Sequence, residues 1–292
     1  MNQLRRVSGV VTAHRQTEGG GFVVRRPFPT AGLDSVDPFL LLDEMGPVDY
    51  GPGEAVGAPD HPHRGFETVT YLLEGEGEHQ DSAGHAGRLG PGDVQWMTAG
   101  SGVVHSELPS RRILEKGGRV HGFQVWVNLP RRDKFISPRY QEIPAAAIPV
   151  SRSADGLAEV RVVAGEALGA HAVIETRTPI YFQDWTLRPG AEVNLTLPKD
   201  HQASAYVFSG EALVAGRPIR DGQLALLSAG DAVQLAASGT ASAPTRLLLL
   251  SGVPLREPVA RYGPFVMNTP EEIHQAILDF QAGRMGEIRR SP

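Results

Sequence analysis

The sequence predicts an all-β protein made of two like-folded halves and one C-terminal helix. Three observations predict it: an excess of turn-forming residues, many short apolar runs, and one pattern that occurs twice. Glycine contributes 34 and proline 23 of the 292 residues, above the usual shares of about 7% and 5%. Without a collagen period, this excess indicates many short elements joined by tight turns. The hydrophobic share of 41% is enough to form a buried core.

The apolar runs are rich in valine, leucine, isoleucine and aromatic residues, and glycine, proline and aspartate bound them. They are too short for helices and too numerous for anything except sheets that pack face to face or close on themselves. We therefore expect strands at Thr68–Leu73, Val94–Thr98, Phe123–Leu129, Val160–Ala164, Ala205–Ser209, Ala225–Leu227 and Arg246–Leu250.

One pattern of strand, glycine turn, Gly-Asp turn and strand occurs twice. The first copy starts near Tyr71 and reaches its Gly-Asp turn at Gly92, 21 positions later. The second copy starts near Tyr206 and reaches its Gly-Asp turn at Gly230, 24 positions later. Two copies of one pattern indicate two domains of the same fold.

The repeat predicts an N-terminal domain at 1–130, a polar, proline-flanked linker at 131–139, and a second domain at 140–292. The two domains differ in histidine content. Before the C-terminal helix the second domain has only His171 and His201, and it lacks a His-x-His sequence. The first domain is expected to carry the chemistry, because six of its histidines lie close together in the chain: His61, His63, His79, His85, His105 and His121.

A helix is expected at about 270–282. Thr269 supplies an N-cap, Pro270 fits the first helical position, and Glu272 completes a capping box. Gly283 stands where a C-terminal stop belongs. Between these signals, apolar side chains recur at helical spacing and predict one face that docks on a sheet: Ile273, Ala276, Ile277 and Phe280.

Composition excludes several function classes. The chain has no cysteine, which excludes disulfides, iron–sulfur clusters and cysteine nucleophiles. Its net charge of −5 argues against direct nucleic-acid binding. No apolar run is long enough to span a membrane, and no secretory signal is visible. We therefore expect a cytoplasmic, non-membrane protein, and we expect it to be a monomer.

The strongest chemical signal is a pair of His-containing motifs. His61-Pro62-His63 places two imidazoles on one face of an extended strand, with Cα atoms about 6.6 Å apart. His105-Ser106-Glu107 offers an imidazole and a carboxylate from a facing strand. Three imidazoles and one carboxylate suit Fe(II), Mn, Co, Ni, Cu or Zn better than Ca or Mg. An octahedral ion held by four such ligands keeps two positions open for chemistry.

These motifs lie within longer blocks that resemble the pirin family of the cupin superfamily. The resemblance covers roughly residues 35–130, and the blocks that carry it are Asp37–Glu44, Pro59–Gly75, Gly90–Gly100, Gly102–Glu107 and His121–Pro130. It implies a bicupin, in which two antiparallel β-barrel or jelly-roll domains occur and only the N-terminal one binds metal. The metal site of pirins matches His61, His63, His105 and Glu107, and Fe(II) is the first expectation for the ion, with Mn, Co, Ni or Cu as alternatives.

Spacing and resemblance disagree about the carboxylate ligand. The general cupin pattern, His-x-His followed by Glu, nominates Glu67, which has the same strand parity as His61 and His63. The closer resemblance, to pirins, nominates Glu107 and leaves Glu67 beside the site. Among neighbouring residues, we expect His121 or Gln124 to orient a ligand imidazole.

The resemblance also implies a function. Bacterial pirin-like proteins are similar to quercetin 2,3-dioxygenases, which cleave the central ring of a flavonol with O2 and release carbon monoxide. On this hypothesis Glu107 accepts the proton of the substrate's 3-hydroxyl group, and apolar walls hold the aromatic rings. The alternative is a metal- or redox-responsive binding protein without turnover, whose partner is a transcription regulator or a metabolic enzyme.

Overall fold

The computed structural model describes residues 3–289; Met1, Asn2 and 290–292, at the outer ends of the two predicted domains, lie outside the described residues. Strands dominate this part of the chain. They are β1 Val7–Thr12, β2 His14–Glu18, β3 Phe22–Phe28, β4 Phe39–Tyr50, β5 Ala58–His63, β6 Phe66–Glu74, β7 Gly77–Asp81, β8 Ala86–Leu89, β9 Val94–Thr98, β10 Val103–Pro109, β11 Gly118–Asn128, β12 Arg139–Ile143, β13 Val150–Arg152, β14 Ala158–Ala164, β15 Glu166–Ala167, β16 Ala170–His171, β17 Ile180–Leu187, β18 Glu192–Thr196, β19 Gln202–Ser209, β20 Glu211–Val214, β21 Arg217–Arg220, β22 Gln223–Leu227, β23 Ala232–Ala237, β24 Thr245–Gly252, β25 Ala260–Tyr262 and β26 Phe265–Met267.

Helices are few among the described residues. They are α1 Arg111–Lys116 and α2 Pro270–Gln281, with short 3₁₀ turns at Arg131–Asp133 and Ala145–Ala147. The prediction of an all-β protein with one helix near its C-terminus is confirmed. Each predicted strand falls within an observed one, except that β11 ends at Asn128, one residue before the predicted end. No helix in residues 3–289 combines the length and the apolar character needed to cross a membrane.

The chain divides into two compact units that are discontinuous in sequence. The unit that we call the His-rich unit comprises Arg15–Arg26, Phe39–Ala145 and the chain from Leu255 onward. The second unit comprises the residues up to His14, Pro27–Pro38 and Ala146–Pro254.

Both units have the same sheet organisation, as the sequence repeat predicts. The His-rich unit contains a seven-stranded sheet in the order β12-β9-β6-β11-β4-β3-β2 and a four-stranded sheet in the order β5-β10-β7-β8. The second unit contains a seven-stranded sheet, β1-β22-β19-β24-β17-β14-β13, and a four-stranded sheet, β18-β23-β20-β21. These antiparallel pairs of sheets are jelly-roll folds, and the predicted two-domain architecture is confirmed.

The observed units differ from the predicted continuous ranges 1–130 and 140–292. The predicted linker at 131–139 lies inside the His-rich unit, because β12 begins at Arg139 and pairs with β9. The N-terminal strand β1 pairs with β22 and so belongs to the second unit. Backbone pairing between segments that are distant in sequence sets these boundaries, and local composition does not record it.

Helix α2 forms as its end signals predict. The Thr269 side chain accepts a hydrogen bond from the Glu272 amide, and the Glu272 side chain caps Thr269 in return. Ile273 and Ala276 are buried and belong to an apolar cluster of the His-rich unit that includes Val104, Phe265 and Met267. Phe280 differs from the prediction of a continuous buried face, because its side chain is 40% exposed.

Candidate metal centre

The three histidines of the two motifs lie on adjacent strands of one sheet. His61 and His63 are on β5, and His105 on β10 is the direct antiparallel partner of His61. The sequence predicts a facing strand, whereas β10 is the hydrogen-bonded neighbour of β5. Directly opposite residues in an antiparallel pair point to the same side of a sheet, and this register brings the imidazoles together.

The imidazole nitrogens converge on a single point. The Nε2 atom of His61 lies 3.0 Å from Nε2 of His63 and 2.9 Å from Nε2 of His105. Two nitrogens that bind one ion at about 2.1 Å and at right angles to each other lie about 3 Å apart. The Nδ1 atom of His61 is 2.7 Å from the Pro59 carbonyl oxygen. Because a carbonyl only accepts, Nδ1 carries the proton and Nε2 presents its lone pair, so the donor set fits a transition-metal ion.

The environment favours neutral imidazoles, the form that binds metal. Burial lowers the pKa of His63 well below its usual value, and the neighbouring imidazoles of His105 and His61 lower it further. Burial likewise lowers the pKa of His105 to about 4, although the Glu107 carboxylate acts in the opposite direction. At neutral pH both rings are therefore uncharged.

Glu107 lies beside the imidazoles and is held from two strands of the seven-stranded sheet. Its Oε2 atom is 4.0 Å from Nε2 of His105. Thr70 on β6 donates to Oε1 at 2.7 Å, and Gln124 on β11 donates to Oε2 at 2.9 Å. Burial acts to raise the pKa of Glu107, but attraction to the His105 ring when that ring is protonated, together with the hydrogen bonds from Thr70 and Gln124, outweighs it and leaves that pKa below its usual value. Glu107 is therefore a carboxylate at neutral pH.

Glu67 lies outside this group. Strand β5 ends at His63 and β6 begins at Phe66, in the other sheet of the unit. Parity counted from His63 therefore does not carry across the turn to Glu67. The Glu67 side chain is buried and accepts a hydrogen bond of 2.6 Å from Thr98. The parity argument for Glu67 assumes one continuous strand, which the turn between His63 and Phe66 interrupts.

The neighbouring polar residues contact carboxylates. His121 is 2.9 Å from the Glu44 carboxylate, and its role in orienting a ligand imidazole stays a prediction. Gln124 supports the carboxylate of Glu107 rather than an imidazole, and its own Oε1 accepts from Nε1 of Trp126 at 3.2 Å. The Thr70 contact is not predicted by the sequence, because Thr68 and Thr70 lie in the same strand and their spacing does not show which of them meets Glu107.

A cavity of about 660 Å³ opens onto the site within the His-rich unit, and His61, His63 and Glu107 form part of its wall. Trp126, which the sequence predicts to be in the core, is buried and also forms part of the cavity wall. The guanidinium of Arg261 lies 4.8 Å from its ring centre. The sequence gives no signal for Arg261, because this residue comes after the second unit in the chain, far from the histidine motifs. The remaining wall is largely apolar and includes Phe22, Leu41, Met45, Leu72 and Val120.

Comparison with known proteins identifies similar chains over almost the full length. The sequence matches pirin over residues 21–127 and the pirin C-terminal cupin domain over residues 182–286. Pirin from Homo sapiens is 43% identical over 291 residues, which cover 98% of this chain and 96% of the human protein. A Pseudomonas aeruginosa protein, named provisionally as a quercetin 2,3-dioxygenase, is 44% identical over 285 residues, which cover 96% of this chain and 98% of that protein.

Solved structures show the same relationship. Quercetin 2,3-dioxygenase from Acinetobacter baumannii matches with a TM-score of 0.91 at 38% identity, covering 98% of this chain and 100% of that one. The bacterial pirin YhhW from Escherichia coli, solved in complex with nickel(II), shares the fold with a TM-score of 0.64 at 20% identity, covering 84% of this chain and 98% of its own.

Proposed function

The chain belongs to the pirin family, and from this premise we propose that it is a metal-dependent dioxygenase acting on a flavonol such as quercetin. The proposal assigns the ion to His61, His63, His105 and Glu107. The observation that carries it is the convergence of three imidazole nitrogens, beside a carboxylate, at the wall of a largely apolar cavity.

The donor set indicates the class of ion. Three nitrogens and one oxygen are typical ligands of first-row transition metals, and Fe(II) is our first choice, with Mn, Co, Ni or Cu as alternatives. When bound, such an ion supplies Lewis-acid and redox chemistry for the reaction of an ionised flavonol with O2.

The protein's own side chains bind the substrate and move its proton. Glu107 is ionised and lies at the cavity wall, so it accepts the proton of the 3-hydroxyl group. Thr70 and Gln124 each bond one of its oxygens, which fixes the carboxylate in one orientation. The apolar wall holds the aromatic rings and excludes water from the reacting carbon atoms. Ring cleavage then takes up one O2 and releases carbon monoxide.

Two relatives support the oxygenase proposal: the Pseudomonas protein named for this activity and the Acinetobacter enzyme, which share 44% and 38% identity with the chain. The family also includes animal and plant pirins whose names state no activity. A regulatory binding protein in which the same ion alters affinity for a partner is therefore the alternative function.

The direct test measures turnover. The protein is purified anaerobically, its metal is identified by elemental analysis, and loss of flavonol absorbance is recorded together with carbon monoxide release. We expect turnover in the wild type and in His274→Ala, which removes an exposed imidazole on α2. If loaded protein turns over no flavonol, while a stoichiometric, metal-dependent protein partner is captured, the regulatory alternative replaces the enzyme.

Exchanging each carboxylate for its amide distinguishes the two candidate ligands. We expect Glu107→Gln to weaken metal binding at least about tenfold and to remove most flavonol turnover, because a charged donor and the proposed base are lost. Glu67→Gln should retain metal within about twofold, since that side chain bonds Thr98 and lies outside the cavity wall. Metal affinity is measured by competition with a chelator, and the reverse order of effects would assign the ligand to Glu67.

Metal should stay bound below the pH at which an ordinary histidine is protonated. Ligation needs neutral imidazoles, and a lowered pKa keeps a ring neutral to lower pH. With the pKa of His105 at about 4 and that of His63 also lowered, proton competition at these two ligands begins only as pH approaches about 4. Elemental analysis after gel filtration between about pH 7 and pH 4 tests this, with circular dichroism to establish that the protein remains folded. Release of half the metal already near pH 6 would contradict the prediction.

A further inference from the structure

The turn that follows His63 is held by the C-terminal segment of the chain. We call residues 64–65, between β5 and β6, the ligand turn. The backbone amide of Arg64 donates to the Pro264 carbonyl at 3.3 Å, and the Val266 amide donates to the Arg64 carbonyl at 3.1 Å. The hairpin of β25 and β26 therefore extends the backbone hydrogen bonding of the turn immediately after a candidate metal ligand.

Gly65 fixes the other end of the ligand turn. Its φ is +88°, and a Cβ atom there would lie 2.0 Å from the Val266 carbonyl oxygen, so only glycine fits. Its amide donates to the Gly100 carbonyl at 2.9 Å. The ammonium of Lys134 donates to the Gly65 carbonyl at 2.7 Å and to the Val266 carbonyl at 3.0 Å. The backbone of the turn is thus bonded on both sides.

The side chain of Arg64 joins this turn to helix α2. Its Nε atom donates to the Ser101 carbonyl at 2.7 Å, and its Nη1 atom donates to Oδ2 of Asp279 at 2.7 Å. Both side chains are largely buried, with exposed fractions of 7% for Arg64 and 15% for Asp279. The Arg64 hydrogen bond is the largest influence that lowers the pKa of Asp279 to about 2. The pair is therefore ionic at neutral pH.

We propose that Asp279 is a positioning residue which, through Arg64, holds the ligand turn and thereby sets the orientation of His63 at the metal centre. The inference rests on the metal centre proposed above and is independent of dioxygenase turnover. Metal-ligand distances tolerate only a few tenths of an ångström, and His63 directly precedes Arg64 in the chain. Groups that hydrogen-bond a metal ligand directly typically change metal affinity by 10–100-fold when removed, and Asp279 acts one step further from the ion, so we expect an effect at the lower end of that range.

Helix α2 is also held by contacts that do not involve Asp279. A variant of Asp279 can therefore test the positioning of His63 without unfolding the helix. Ile273 and Ala276 bury its apolar face, and Thr269 with Glu272 caps its start. Alanine is the best helix former, so Asp279→Ala should leave α2 docked while removing one of the two bonds of the Arg64 side chain and keeping its bond to the Ser101 carbonyl. Arg284 offers a matched control. Its Nε atom donates to Oδ1 of Asp279 at 2.7 Å, but Arg284 does not bond the ligand turn.

The test uses Co(II) as the probe on the full-length metal-free protein. We expect Asp279→Ala to raise the Kd for Co(II) about tenfold or more and to alter the visible ligand-field spectrum. Asp279→Glu should recover at least part of both, and Arg284→Ala should match the wild type in both. Thermal unfolding of each metal-free variant shows whether the fold is kept.

The outcomes are distinguishable. If Asp279→Ala keeps the wild-type Kd and Co(II) spectrum, Asp279 serves stability alone and the proposal fails, whatever its Tm. If Arg284→Ala weakens Co(II) binding as much, the effect is a general one of the helix, and the proposal also fails. If the wild type binds no Co(II), the metal centre and this inference fail together. Absence of flavonol turnover with the expected Co(II) results overturns only the dioxygenase proposal.

Discussion

His105→Ala is expected to abolish metal retention and to reduce flavonol turnover to background. The imidazole is fully buried and its Nε2 lies 2.9 Å from that of His61, so it is one of the three converging nitrogen donors. Loss of a direct ligand should cost more than the 10–100-fold in metal affinity that is typical of residues behind the ligands. We therefore expect the Kd for the ion to rise more than about 100-fold, so that no metal survives gel filtration.

The matched control is His201→Ala in the second unit. His201 is also buried, and its Nδ1 lies 3.0 Å from the Ser251 hydroxyl, but it belongs to no candidate metal site. It should retain the metal while showing a comparable loss of core packing. Equal turnover in His105→Ala and the wild type, both loaded under the same conditions, would refute the proposed enzyme.

Lys134→Met is expected to lower the free energy of unfolding by about 2–4 kcal/mol. The buried ammonium donates to three oxygens, on Gly65, Asn128 and Val266, at 2.7–3.0 Å. Burial lowers the pKa of Lys134 to about 8, so at pH 7 the group still carries the three protons that these acceptors need. Methionine fills the space of the lysine stem but leaves the acceptors unpaired, each at a cost of about 1–3 kcal/mol, part of which is offset by removing a buried charge.

Urea unfolding followed by tryptophan fluorescence measures this change, since Trp96 and Trp126 lie in the His-rich unit. Lys199→Met is the control, because Lys199 is 73% exposed and its ion pair with Asp231 should contribute less than about 1 kcal/mol. A change below about 0.5 kcal/mol for Lys134→Met would show that water replaces the ammonium without loss.

Much of the fold could be predicted because its signals are local. Alternation, glycine turns and short apolar runs indicate strands wherever they occur, and the capping box of α2 lies within a few residues. The repeat at Tyr71 and Tyr206 corresponds to two units with the same pair of sheets. The domain boundaries could not be predicted in the same way, because they depend on strand pairing between segments that are not neighbours in the chain. Strand β1 pairs with β22 of the second unit, and β12 pairs with β9 of the His-rich unit.

The candidate site was predictable only in part. His61 and His63 share a strand, so their spacing alone places their imidazoles on one face. The assignment of the metal to these residues and Glu107 stays a prediction, supported by the convergence of nitrogens. The environment of Glu107 depends on Thr70 and Gln124, which lie in a different sheet from it. A rule based on residue spacing cannot distinguish Glu67 from Glu107 as the ligand, because it takes no account of the turn at Gly65 that ends β5 before Glu67.

By itself the sequence determined the strand-rich class, the duplication, the capped helix and the histidines to which chemistry is assigned. The tertiary structure decided that a lysine from an apparently polar linker is buried, and that Asp279 meets Arg64 across 215 positions of chain. The physical reason is that the periodicity of apolar residues indicates only which face of its own strand or helix a residue occupies. Which residues then meet depends on how the chain runs through both sheets of the His-rich unit and returns to it at Leu255.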